Sequence, residues 1–182
     1  MAVMRHLLGG QLVPLAASER LLLTEFFGGT LYLNRLQLRQ GGILSWLCTR
    51  VVGNTIYFDH TRPIALLRQQ PRGQSLLIHE AVHVWQFQHL GPGYIMGSLL
   101  DQGRYALATG HRHGAYRYRL EEGRRLVGYR PEQMAQLLED YFRRMRFGDE
   151  SSTHCFCLNY QELGRARADE LAAQLHRQLW EG

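Results

Sequence analysis

No lysine occurs in the chain, and all 21 of its basic residues are arginine. Arginine favours carboxylate and phosphate partners, because its planar fork meets two oxygens at once. With a formal charge of +5, an anionic polymer or an envelope surface is one conceivable target. The arginines are scattered rather than massed, however, as ordinary surface ion pairs and an Arg-biased codon usage would leave them. No helix-turn-helix, zinc finger or aromatic-basic platform accompanies them, so nucleic acid is not expected as a partner.

Cysteine is scarce as well. Cys48, Cys155 and Cys157 cannot build a disulfide framework. The run His154-Cys155-Phe156-Cys157 lacks the two-residue spacing of a zinc knuckle and no second pair follows it, so these read as structural or surface thiols. Long apolar runs are missing too, and nothing approaches the ~20 residues that span a bilayer. The opening stretch MAVMRHLLGGQLVPLAASER has a positive charge and some leucines, but Gly9-Gly10-Gln11 and Pro14 interrupt it, and no cleavable signal peptide is expected. Repeats and low-complexity segments are absent. The remainder is globular in kind: 182 residues, 45% apolar and 20% charged, are enough for a core without cross-links and predict one domain over 1–182.

Against that background one motif stands out. The run LLIHEAVHVWQFQHLG contains His79, Glu80 and His83 as H-E-x-x-H. On a helix, positions i and i+4 share a face, so the two imidazoles can grip one zinc ion. Glu80, beside the first histidine, can take a proton from a water that the metal activates. An ordinary amphipathic helix with solvent-facing histidines would also fit the bare pattern. Three features weigh against that. Ser75 can cap the start and Leu76, Leu77 and Ile78 form an apolar lead-in; Leu76, Val82, Val84 and Phe87 can bury the other faces; and Gly91-Pro92-Gly93 gives a stop. The helix is expected over roughly 74–90.

Elsewhere, a helix capped by Ser18 should end at Gly28-Gly29, followed by extended chain over Thr30–Leu33 and Leu36–Leu38 and by a turn and strand over Gly53–Phe58. A second helix is expected from Tyr94 to about Ala106, then a Gly-, Arg-, His- and Tyr-rich loop over 107–130. Pro131 opens another helix, and Leu163, Leu171, Leu175 and Leu179 mark the buried stripe of a last one over about 161–180. The fold class expected is α+β: a mainly helical body with a small sheet or hairpin from the N-terminal third.

Catalytic zinc usually has three protein ligands and a water. His89 lies six residues beyond His83, as in metzincins, but Gln86 stands where that family needs glycine and the helix runs straight through. The downstream candidates are Glu121, Glu122, Glu132, Glu139, Asp140 and several histidines. Glu132 sits in the first turn of a rigid helix, where an acid also complements the helix dipole; Glu121 and Glu122 compete from the loop. For a donor to the developing oxyanion the candidates are Tyr116 and Tyr118, with His111 or His113 behind them. Asp140 or Glu139 could fix the imidazole tautomers.

The blocks LLIHEAVHVWQFQHLG, AYRYRL (115–120) and YRPEQMAQLLEDYF (129–142), in that order, resemble a bacterial zinc-metallopeptidase-like family. Its members occur as stand-alone vgr-related proteins, near polymorphic-toxin genes, and as C-terminal extensions of type VI secretion spike proteins. The likeness covers roughly residues 53–142. Ala81 and Val82 depart from that family's H-E-L-T-H-V-W-Q, and Met134 from its E-Q-Q-A-x-I-V-E-D-Y, while His79, Glu80, His83 and Glu132 are kept. The resemblance implies a gluzincin-type site, with Zn2+ held by His79, His83 and Glu132 and Glu80 as general base. It further implies a toxin or effector that is made in the bacterial cytoplasm and delivered to the periplasm of a target cell. There it would cleave envelope protein or peptidoglycan peptide, with a spike protein or an immunity protein as partner. The competing reading is a catalytically silent, zinc-stabilised module that docks on a spike or other partner, and a more distant one is a metal-free helical adaptor.

Overall fold

The computed structural model describes residues 9–45, 48–61, 63–93 and 112–181. The chain forms two compact units, Met1–Gln88 and His89–Gly182.

The first unit holds the sheet. Strands β1 (Gln11–Val13), β2 (Gln37–Gln40), β3 (Arg50–Val52) and β4 (Thr55–Phe58) lie in the order β1-β2-β4-β3. The β1–β2 and β3–β4 pairs are antiparallel and β2–β4 is parallel. Leu38 is in register with Ile56, and with Phe58 two residues on, these three side chains are all buried. Gly53 turns β3 into β4 at φ +61°, a left-handed conformation that suits glycine. Of the two stretches expected to be extended, Leu36–Leu38 runs into β2, whereas Thr30–Leu33 turns instead. Thr30 bonds back to the Phe27 carbonyl through both N–H and hydroxyl, and Arg35 N–H to the Tyr32 carbonyl, so backbone groups find partners locally.

Helix α1 (Ala17–Phe27) starts one residue before Ser18, which therefore does not cap it. The Glu19 carboxylate accepts from the Ala16 N–H at 2.8 Å, and also from Arg68. Gly28, left-handed at φ 59°, ends the helix as expected. After the short α2 (Ile64–Leu67) comes α3 (Pro71–Leu90), which starts a turn earlier than the sequence suggests. Proline at the first position presets φ, and Ser75 is an interior residue, buried, with its hydroxyl on the Arg72 carbonyl at 3.0 Å. Gly73 lets α2 and α3 approach closely: a Cβ there would lie 1.8 Å from the Leu67 carbonyl oxygen. From Leu77 to Gln86 every side chain but His83 is buried, which makes α3 a core helix rather than a surface one. Trp85 donates its ring N–H to Thr30 at 3.1 Å, and Gly91, at φ 80°, follows the last turn.

The second unit is helical. Two 3-10 turns, Arg112–Tyr116 and Leu126–Gly128, precede α4 (Pro131–Phe147), α5 (Ser151–Phe156), α6 (Tyr160–Leu163) and α7 (Arg165–Arg177). Pro131 opens α4 as expected, and Gly148 closes it in the left-handed region. The single helix expected over 161–180 is broken at Gly164, φ 71° and ψ 162°, and its stripe survives as Leu171, Leu175 and Leu179, all buried. The loop before α4 is pinned from within: Asn159 accepts from the Leu120 N–H and donates to its carbonyl. The helix expected over 94–106 and His111 lie outside the described residues. A four-stranded sheet and a helical majority together make the fold α+β. Among the described residues no helix is long and apolar enough to cross a membrane.

Candidate metal centre

Helical spacing on α3 brings the His79 and His83 rings to a centroid separation of 5.1 Å at 76°. Pro131 fixes the start of α4 and with it Glu132 in the first turn. One ligand atom from each of His79, His83 and Glu132 lies within 4.8 Å of the others. Glu132 and His79 are buried, at 5% and 8% exposure, and Glu80 likewise at 7%. Bringing two acids and one imidazole out of water is costly unless they pair or hold a cation; His83, half-buried, keeps part of its ring toward solvent.

Whether such a group fits a metal depends on donors and spacing. Two imidazoles and one carboxylate are ligands zinc takes, at bond lengths near 2.1 Å, which put tetrahedral ligands about 3.4 Å apart. A spread of at most 4.8 Å needs only small side-chain adjustments to close on one ion. Moreover, His83 Nδ1 is 2.9 Å from Gln86 Oε1, which leaves the other ring nitrogen for the shared centre. The residues fit.

The other acids weighed from the sequence go elsewhere. Glu121 is exposed and pairs with Arg124 at 3.0 Å; Glu122 is exposed and pairs with Arg167 at 2.8 Å. Glu139 lies 3.9 Å from Arg143. His89 stays on the unbroken α3, outside the His79–His83–Glu132 group. Asp140, considered for orienting an imidazole, is wholly buried and accepts from Tyr118 at 2.7 Å, from Gln136 at 2.8 Å and from the Ser152 hydroxyl. Burial raises its pKa to about 6 despite those donors. Tyr118, considered as an oxyanion donor, is buried with its proton committed to Asp140, and burial, with Asp140 beside it, lifts its pKa well above the ordinary range. Tyr116 is half-buried, its ring 6.0 Å from that of Phe156.

Two features escaped sequence reasoning. Gln86 counted there as the residue that rules out a metzincin bend and as the last position of the family's helix pattern, with no role assigned to it. The second is a buried polar stripe on α4 at four-residue spacing: Glu132, Gln136, Asp140 and Arg144. Arg144 bonds Asp169 at 2.7 Å and Thr153 at 2.6 Å. The spacing is visible in the sequence, but polar residues at helical intervals usually mark a solvated face.

No protein-family model matches the chain. A solved structure, the effector domain of Pseudomonas aeruginosa VgrG2b, superposes with a TM-score of 0.62 at 29% identity, over 85% of this chain and 89% of that one. The chain is homologous to the VgrG2b effector domain. Full-length VgrG2b of Pseudomonas aeruginosa, a type VI secretion system spike protein, is 30% identical over 148 residues, or 78% of this chain. The chain spans 14% of the length of VgrG2b, so the match concerns one part of that longer protein.

Proposed function

We propose that the chain is a zinc-dependent metallopeptidase effector of a type VI secretion system, with residues 1–182 acting as one catalytic domain. The observation that carries the reading is the convergence of His79, His83 and Glu132 ligand atoms within 4.8 Å. A buried carboxylate, Glu80, is next in sequence to one of them. Likeness to a domain described as an effector supports the delivery half of the proposal. In this reading His79, His83 and Glu132 hold zinc, which supplies a Lewis acid and lowers the pKa of a water. Glu80 accepts the proton as that water attacks a peptide or amide carbonyl, and returns it to the leaving amine. Burial of Glu80 keeps bulk water from competing for that proton. The substrate would be envelope protein or peptidoglycan peptide, and a spike protein and an immunity protein would be its partners.

The test is the Glu80→Gln variant, assayed for bound zinc and for cleavage of a generic protein substrate and of purified peptidoglycan. Wild-type chain should hold one zinc and cleave one of these. The variant should keep the zinc and lose cleavage by a factor of about 10² or more, the scale of general-base catalysis. A variant that cleaves like wild type would remove Glu80 from this role. Wild-type protein that holds zinc yet cleaves nothing would favour the silent docking module.

A further inference from the structure

Gln86 is wholly buried, unusual for an amide side chain, and its Oε1 lies 2.9 Å from His83 Nδ1. It sits three residues after His83 on α3, a spacing at which helical side chains meet. An amide oxygen accepts hydrogen bonds and cannot donate one, so an imidazole nitrogen facing it must carry the proton. With the proton on Nδ1, the lone pair is on Nε2. We infer that Gln86 is a positioning residue: it selects the Nδ1–H tautomer of His83 and holds the ring with Nε2 toward the His79–Glu132 group. Metal-binding histidines generally hand their second nitrogen to such a partner.

The inference rests on the metal-site reading above and adds to it a residue that touches no metal. A neutral amide does this differently from a carboxylate. It fixes the tautomer without adding negative charge, so the site with two imidazoles and Glu132 keeps a net positive charge when a divalent cation is bound. Glu80 is then the one further acid in the H-E-x-x-H run. The device also explains why a buried amide follows the buried Val84 and Trp85 on this core helix.

Two measurements test it. The first uses metal-free protein and reads the His83 tautomer from ring 15N chemical shifts. Wild type should show the proton on Nδ1, whereas Gln86→Met, equal in length but without an acceptor, should show a mixture. The second is zinc affinity by chelator competition. Gln86→Met should bind 10- to 100-fold more weakly with an unchanged circular dichroism spectrum, the range set by partners of this kind. Gln86→Glu, which restores an acceptor, should recover most of the affinity. A wild-type His83 protonated on Nε2, or a Gln86→Met protein that binds zinc as tightly as wild type, overturns the inference. If wild-type protein binds no zinc, the metal-site reading fails, while the tautomer measurement still decides whether Gln86 sets the ring.

Discussion

Asp140 offers a perturbation whose size follows from the structure. Its carboxyl is wholly buried among Tyr118, Gln136 and Ser152, and its pKa moves from 3.8 to about 6, chiefly through burial. A carboxyl whose pKa is raised on folding binds its proton more tightly in the folded chain than in the unfolded one. Its contribution to stability is therefore fully present below pH 3.8, declines as pH rises through about 6, and is constant above. About two units at 1.36 kcal/mol each give about 3 kcal/mol lost across that window. Asp140→Asn removes the ionisation. It keeps an acceptor for the Tyr118 hydroxyl but sets an NH2 against the Gln136 amide or the Ser152 hydroxyl, a pH-independent cost of about 1–3 kcal/mol. Urea unfolding of both proteins from pH 4 to 7, with a chelator present so that metal binding does not contribute, isolates the term. The other titrating groups cancel in the difference. The variant should gain on wild type by about 2.4 kcal/mol between pH 4 and pH 7, the rest of the effect lying below pH 4, and most of the gain should come before pH 6.5. A difference that does not change with pH, or that moves the other way, refutes the assignment of Asp140 as a strained buried acid.

Three further outcomes are expected. Glu132→Ala should lower zinc affinity far more than Glu121→Ala or Glu122→Ala, because only Glu132 shares the centre with the histidines; equal losses in a chelator titration would count against this ligand set. Gly73→Ala should destabilise by about 3 kcal/mol or more in urea unfolding, since its Cβ meets a backbone carbonyl that cannot rotate away. Arg143→Ala should raise the Asp149 pKa from about 2 toward the ordinary carboxylate range, followed by NMR titration. This pair stabilises above pH 3.8 and loses its effect as pH falls through 2, and its exposure keeps the gain small.

Much of the architecture was legible because it follows from local chemistry. Gly28, Gly148 and Pro131 mark helix ends by conformational preference, and the structure uses each as read. The H-E-x-x-H run was legible because two histidines four apart on a helix must share a face. Boundaries set by tertiary contacts were not. Ser75 looks like a cap, yet the helix begins at Pro71, since Gly73 lets it start in contact with Leu67. The break at Gly164 was hidden by a leucine stripe that continues across it. The choice among Glu132, Glu121 and Glu122 could not be made from spacing, because it depends on which acids the arginines claim: Arg124 and Arg167 take two of them. Asp140 and Gln136 were hardest, for a polar residue at helical intervals gives no sign of which way its face turns.

The polar stripe on α4 makes the position of Glu132 intolerant of length. From Glu132 to Arg144 the helix climbs about 18 Å, and each residue turns the axis by about 100°. Arg144 is fastened by Asp169 and Thr153, and Asp140 by three donors, so the far part of the rod is keyed against rotation. One residue inserted or deleted between Gln133 and Gln136 would swing Glu132 a quarter-turn or more off its heading while every lock beyond it stayed closed. Homologous chains should therefore vary in length before Pro131 or after Phe147, and keep this stretch of helix at a constant count.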